Sequence, residues 1–448
     1  MSGQPNYIPE VRKQYEEFPY PHRNPEDERK QFIITYLSRL DNVNHQCFAG
    51  KQDFANFRVL SAGGGTGDSA IAWAEQLREM PNSSVAYLDM STASAEIAQK
   101  RAKIRKLDNI TWINDSILNI SDLGLEKFDF IDCTGVLHHL KDPDAGLRAL
   151  VSVLKPGGAM NLMLYAPYGR TGVYQIQKLM HMINGEEENP RTKLKNTKAA
   201  LASLPLHHWY NVSKKIGWTY DDAENDAGIY DLFLHDQDRP FSILETHDWL
   251  ERADMKMSVE PGYMYHQTNY LPETFVKDKN LLKIINEQPL KMRQAIGEAM
   301  ANKVTKHEFY AVYANAGETV ASVHDKDLVP WGGVAPLVSL EQLAAMALQH
   351  RDSFTVNFDQ LPGRPMIHVP QGKFISAILK LIDGERAVGE IVAEIQKDPK
   401  YNSPPNEEDI MRDFEDLMLH MNRGHALYLR AKHIKPFTSL KEIGDRKF

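Results

Sequence analysis

The sequence predicts an α/β fold: a seven-stranded parallel sheet with helical insertions, plus a small C-terminal α+β domain. Three observations predict it. Over residues 57–165, short apolar runs alternate with segments of helical period. The first run, "RVLSA", opens into the glycine-rich loop "GGGTG". Near the C-terminus, amphipathic stripes are followed by the strand-like run "HALYLRA".

The elements follow in order. Residues 1–31 are polar and rich in proline, and Pro19, Pro21 and Pro25 prevent one continuous helix. A surface strap or a lid over a pocket both suit them. "RVLSA" is a buried strand, and "DSAIAWAEQLREM" spaces Ala70, Ile71, Ala74 and Leu77 for a helix. "SVAYLDM" is a second strand ending at Asp89, and "STASAEIAQKRAKIRKL" a helix capped by Ser91 or Thr92. "ITWINDS" and "FDFIDCTGVL" are the third and fourth strands. "DPDAGLRALVSVLKPGG" is a helix capped at Asp142 and stopped by Pro156, Gly157 and Gly158, and "AMNLMLYA" is the fifth strand. Alternation of this kind implies right-handed crossovers between parallel strands. After Tyr165 the pattern is helical, until "ERADMKMSVEPG" and "HEFYAVYANA" supply a sixth and seventh strand.

Composition bounds the function. The chain has 448 residues and a formal net charge of −8, which gives no global attraction to nucleic acid or anionic membranes. Two cysteines, Cys47 and Cys133, are too few for a disulfide framework and fit a reducing compartment. No window approaches the ~20 apolar residues of a membrane span, and the N-terminus has no apolar signal region. A cytoplasmic protein is expected.

The loop itself excludes two ligand classes. A phosphate-cradling loop needs Gly-Lys-Ser/Thr at its end, and here Thr66-Gly67-Asp68 stands there. A dinucleotide fingerprint, G-x-G-x-x-G, would need glycine where Asp68 lies. The spacing present is Gly63, Gly65, Gly67.

That spacing on a strand-to-helix turn resembles the first motif of class I S-adenosylmethionine-dependent methyltransferases. The resemblance runs strand by strand over residues 57–165, with "VLHHL" and "LKPGG" in order. It implies a Rossmann-like seven-stranded sheet, S-adenosyl-L-methionine as cofactor and no metal. It also implies that Gly63, Gly65 and Gly67 let backbone approach the methionine moiety. Asp89, with Met90 beside it, would accept from the ribose hydroxyls. Asp115 and Ser116 would meet the adenine, and Thr134 and Gly135 the methionine end. Ser61 departs from the family, most of which carry Asp or Glu there to bind the methionine ammonium.

The histidines leave alternatives open. The "HH" at 138–139 either stabilises its turn or offers His139 as a base or substrate contact. His207, His208 and Trp209 either shape the substrate or form the core of a helical cap, with His208 the second catalytic candidate. His235, Asp236, Asp238 and Arg239 make either a substrate-facing loop or a helix-entry turn.

The expected organisation is an N-terminal strap and first helices over 1–56, then the catalytic domain over 57–316, with insertions at about 168–240 and 262–306. A linker with short helices over 317–370 and a winged-helix-like domain over 371–448 follow. The C-terminal segment looks like one appended to some large bacterial methyltransferases, some of which act on proteins. Its "LIDGERAVGEI" is similar to modules that bind peptides, and "GERAVGEIVAEIQKDP" is not a basic recognition helix. A protein or peptide acceptor is therefore expected first, with a small molecule and then RNA behind it. The other reading is a regulatory protein that binds the cofactor without catalysis.

Overall fold

The computed structural model describes residues 9–215, 225–235, 237–259, 267–334, 338–350, 352–357 and 366–448. Strands β1 (Arg58–Ala62), β2 (Ser84–Asp89), β3 (Ile110–Asn114), β4 (Phe128–Thr134), β5 (Leu154–Tyr165), β6 (Met255–Met257) and β7 (Lys306–Tyr313) form one sheet in the order β3-β2-β1-β4-β5-β7-β6. Only β7 runs against its neighbours. The order reverses beside β1, so the C-terminal ends of β1 and β4 open a crevice there.

Helices α1 (Pro9–Glu17) and α2 (Leu40–Cys47) precede the sheet, and α3 (Asp68–Leu77), α4 (Thr92–Ile104) and α5 (Pro143–Ser152) are its crossovers. Ser91 caps α4 by accepting the N–H of Ser94, and Asp142 caps α5 through Ala145. α5 stops at Ser152, earlier than the sequence pattern suggests. Phe128 pairs with Leu154 and Phe130 with Ala159, so "KPGG" is a bulge inside β5 rather than the helix stop.

A helical cap follows β5: α6 (Thr171–Asn184), α7 (Pro190–Ser203), α8 (Trp209–Lys215) and α9 (Asp226–Leu234). Its own core includes Val173, Ile176, Met180, Tyr210 and Phe233, with Phe18 of the strap packed on it. α10 (Ile243–Glu251), α11 (Lys279–Asn286) and α12 (Leu290–Ala301) flank β6 and β7.

Beyond the sheet lie β8 (Leu328–Trp331), α13 (Leu340–Gln349), β9 (Phe354–Asn357), β10 (Met366–Val369), α14 (Ile375–Leu381), α15 (Val388–Lys397), α16 (Glu407–Arg423), β11 (Tyr428–Ala431) and α17 (Leu440–Gly444). The stripes Ile375/Ile378/Leu379, Val388/Ile391/Val392/Ile395 and Ile410/Phe414/Leu417/Met421 meet in one core. Residues 317–370 are not a free linker, because Val323, Leu328, Leu343, Ile367 and Val369 are buried in that same core. The closing strand β11 pairs with β8, and β9 pairs with β10. Linker composition concealed this because each apolar segment is short and lies between prolines and glycines.

α2 joins the two halves. All eight of its residues are buried, although "LDNVNHQC" is mostly polar. Its polar side chains reach partners in both halves: Asn42 Nδ2 donates to Tyr310 Oη at 2.8 Å, and Gln46 Nε2 to Asn422 Oδ1 at 2.7 Å. Asp41 pairs with Arg39 and accepts from the N–H of Val334. His45 Nδ1 accepts the N–H of Leu429 at 3.0 Å. Burial pushes the His45 pKa down to about 4.

The sign of the consequence is definite. Unfolded His45 takes up a proton near pH 6.5, whereas the folded chain resists it to about 4. The stability linked to this residue is complete above pH 6.5 and is lost as pH falls toward 4. It amounts to about 3 kcal/mol. Urea unfolding at pH 7.5 and pH 5 is expected to show a smaller pH-dependent loss for His45→Gln than for the wild type. Buried His138, His235 and His425 act in the same direction and remain in both proteins.

Candidate active site

The cofactor-class features converge on the C-terminal edge of the sheet. A cavity of about 470 Å³ opens there, within the range of small-molecule sites. The order β3-β2-β1-β4-β5 sets out its wall in a row: Asp115 after β3, Asp89 ending β2, the glycine loop after β1, Thr134 to His139 after β4, and Tyr165 ending β5.

Asp89 Oδ2 accepts the N–H of Gly65 and its Oδ1 that of Ser91, both at 2.8 Å. Burial raises its pKa, and these two N–H groups oppose the rise. Asp115 Oδ1 accepts from the N–H of Ser116 at 2.7 Å and from Asn119 Nδ2 at 2.8 Å. Gly63, Gly65, Asp89, Met90, Asp115, Ser116, Thr134, Gly135 and His139 all line the cavity.

Gly67 does not line the cavity. Its φ is +101°, and a Cβ there would lie 2.7 Å from Ala98 Cβ. Its glycine serves the α3–α4 contact rather than a ligand. A Cβ on Gly65 (φ +49°) would meet the Tyr20 carbonyl oxygen at 2.6 Å. The neighbour there is the strap, whose residues Tyr15, Tyr20, Pro21 and Arg23 also line the cavity.

Asp68, which excluded phosphate ligands, holds that strap. It accepts from Arg23 Nη2 at 2.7 Å and from Arg101 Nη1 at 2.6 Å. Burial would raise its pKa, but the two guanidinium groups outweigh it and hold the carboxyl below its usual range. Thr66 Oγ1 donates to the Pro21 carbonyl at 2.6 Å, which closes the strap over the loop.

The structure separates the two catalytic candidates. His139 Nδ1 lies 2.8 Å from the Gln237 carbonyl, which can only accept. The Nδ1 therefore carries a proton, and the neutral ring keeps its lone pair on Nε2. The ring stacks on His235, with centroids 3.7 Å apart. His208 is outside the cavity; its Nδ1 accepts the N–H of Tyr210 at 3.2 Å and caps the start of α8. His138 is fully buried against Tyr165, and burial, with His139 and Arg170 nearby, holds its pKa well below the ordinary value.

The "HDQDR" segment divides in the same way. His235 faces the site's wall, whereas Asp238 pairs with Arg170 at 3.5 Å and accepts from Gln177. Arg239 pairs with Glu245 at the surface, and Asp236 lies outside the described residues.

Sequence reasoning missed two contributors. Tyr15 Oη donates to Asp231 Oδ1 at 2.9 Å and lies 3.3 Å from His235 Nε2, so strap and cap meet beside His139. Nitrogen and oxygen atoms of His139, Asp231 and His235 lie within 4.8 Å of one another. Tyr15 Oη links Asp231 and His235 by hydrogen bonds, whereas His139 Nδ1 bonds to the Gln237 carbonyl. His235 Nδ1 accepts the Gln237 N–H, so its own proton is on Nε2, toward Tyr15. Tyr15 and Asp231 are 216 positions apart, with no shared motif. The second contributor is Asp132, a carboxylate within the apolar run of β4. Among the described residues, no helix is long and apolar enough to cross a membrane.

Comparison with known proteins agrees with this geometry. Residues 60–160 match the methyltransferase domain family. An uncharacterized protein of Synechococcus sp. is 30% identical over 201 residues, covering 44% of this chain and 47% of its own. The tRNA 5-carboxymethoxyuridine methyltransferase of Escherichia coli is 34% identical over 113 residues, covering 25% and 41%. The chain thus spans less than half of either relative's length. Among solved structures, PKMT2 from Rickettsia typhi superposes with a TM-score of 0.60 at 16% identity, covering 89% of this chain and 76% of its own, a likeness of fold. It has also been solved in complex with AdoHcy.

The cavity's own chemistry fits such a ligand. It sets two carboxylates on adjacent strand ends, and it holds a buried Ser61 hydroxyl with no hydrogen-bond partner among the described residues. Residues 60–160 thus carry a methyltransferase domain, and the chamber's residues fit S-adenosyl-L-methionine as its cofactor.

Proposed function

We propose that the chain catalyses methyl transfer from S-adenosylmethionine to a protein or peptide acceptor. The observation that carries methyl transfer is the single chamber that joins Asp115, Asp89, the glycine loop and His139 in one row. Asp115 with Ser116 would bind adenine, Asp89 with Met90 the ribose, and Gly63, Gly65, Thr134 and Gly135 the methionine half. When bound, the cofactor supplies an electrophilic methyl group on sulfur. The chain's task is then to hold an acceptor lone pair at near-attack distance, ~3–3.5 Å, in line with the bond that breaks.

His139 is the base in this reading. Its Nε2 lone pair is free to take a proton from the acceptor, while Gln237 fixes the tautomer and the His235 stack fixes the ring plane. Asp231 and His235 of the cap are buried beside it.

The protein or peptide acceptor is supported by the apolar surface of the cap. Met182, Ile183, Leu206 and Trp209 are all exposed there, and Leu206 is 91% exposed. RNA is the second reading, favoured by the tRNA-modifying relative and opposed by the net charge of −8. Incubation of a fractionated lysate with methyl-labelled S-adenosylmethionine tests the proposal. Label removed by protease is the expected result. Label removed by RNase would replace the acceptor class, and absence of label from all fractions would indicate a regulatory protein that binds without catalysis.

The ribose assignment has its own test. Asp89→Ala is expected to cost on the order of 2–4 kcal/mol of S-adenosylhomocysteine binding by calorimetry. Unchanged affinity would place the ribose elsewhere.

A further inference from the structure

We propose that the carboxylate of Asp132 on β4 receives the ammonium group of the cofactor's methionine moiety, in place of the acid absent at position 61. The inference rests on the cofactor chamber described above.

Four observations carry it. First, Ser61 and Asp132 are direct partners in the parallel β1–β4 pair. Such neighbours lie about 4.8 Å apart and project to the same face of a sheet. An acid moved from β1 to β4 in this register stays beside the same part of the chamber. Second, both residues line the cavity.

Third, Asp132 is a buried carboxyl with no ion-pair partner among the described residues. It is 2% exposed. Its Oδ2 accepts from Ser38 Oγ at 2.7 Å and Trp73 Nε1 at 2.8 Å, and its Oδ1 from Asn161 Nδ2 at 3.2 Å and Thr134 Oγ1 at 3.5 Å. All four donors are neutral. No lysine, arginine or histidine among the described residues forms an ion pair with it. The buried carboxylates of Glu28, Asp41 and Glu75 each pair with arginine. Burial raises the Asp132 pKa, and only neutral donors oppose the rise. An isolated buried carboxylate is costly, and an arriving ammonium removes that cost. Fourth, Ser61 Oγ is fully buried and lacks a hydrogen-bond partner among the described residues, so the same spot holds a spare polar group.

Two ligands separate this inference from the cofactor reading itself. S-adenosylhomocysteine carries the ammonium group, whereas 5′-methylthioadenosine keeps the adenosine and sulfur but has no amino-acid portion. Both are titrated calorimetrically into the full chain. Asp132→Asn is expected to weaken S-adenosylhomocysteine by about tenfold or more and to leave methylthioadenosine within about twofold. Equal losses for both ligands, or no loss for either, would overturn the assignment. The exchange variant Ser61→Asp/Asp132→Ser returns the acid to β1 and is expected to keep the wild-type preference for S-adenosylhomocysteine. It decides the matter if Asp132→Asn does not fold, since a lost preference would overturn the proposal. A wild-type chain that binds neither ligand would instead bring down the cofactor reading.

Discussion

Replacement of His139 by glutamine is expected to lower methyl transfer by about 10²–10⁴-fold, the range of a lost general base. S-adenosylhomocysteine affinity should stay near that of the wild type. The expectation follows from the hydrogen bonds that fix the ring. The Gln237 carbonyl holds the proton on Nδ1, so Nε2 is the basic atom, and His139 lines the chamber. Glutamine preserves polarity and approximate size but cannot take up the proton. Label incorporation in the responsive lysate fraction, measured beside calorimetry, separates the two effects. A variant that transfers methyl groups at the wild-type rate would reduce His139 to a structural residue of its turn, the other role open to it from the sequence.

The second large effect is on stability. Glu28→Gln should destabilise the fold by about 3–5 kcal/mol, as expected when one partner of a buried ion pair is removed. Glu28 lies between two buried arginines: Oε1 accepts from Arg101 Nε at 2.7 Å, and Oε2 pairs with Arg105. Arg101 also reaches Asp68 and the Thr66 carbonyl, and Arg105 reaches Glu75 and the Gln31 carbonyl. Through these bonds the strap, the glycine loop and α4 form one charged network. Urea unfolding measures the loss. Cofactor binding should weaken in the same variant, because the strap forms part of the chamber's lining. A change within about 0.5 kcal/mol, the usual range of a surface substitution, would show that the network does not fasten the strap.

The sheet was legible in the sequence because its elements are local. Period-2 and period-3.6 apolar patterns, with caps such as Ser91 and Asp142, depend on neighbours a few residues away. The loop, Asp89 and Asp115 were legible for the same reason: each ends or directly follows its own strand. What stayed hidden depends on long-range contact. α2 reads as polar, and its burial requires partners as distant as Asn422 and Leu429. Tyr15 acquires its place only when the cap returns Asp231 to it. Gly67 shares the motif's spacing but answers to Ala98 on the next helix, which no loop pattern contains. His208 resembles a catalytic histidine by composition, yet its nitrogen caps a helix.

Ser61 illustrates the same point at the cofactor. Alone it reads as a missing acid. The parallel register sets Asp132 beside it, and the charge that β1 lacks is present on β4. That relation can be seen only once the strands are paired.

The central claim is that the chamber at the sheet's C-terminal edge binds S-adenosylmethionine. Calorimetric titration of the wild-type chain with S-adenosylmethionine, its demethylated product and NAD tests it most directly. Saturable binding of the first two at one site per chain, with none of NAD, is the predicted result. No binding of S-adenosylmethionine or its product, or binding of NAD in their place, would contradict it.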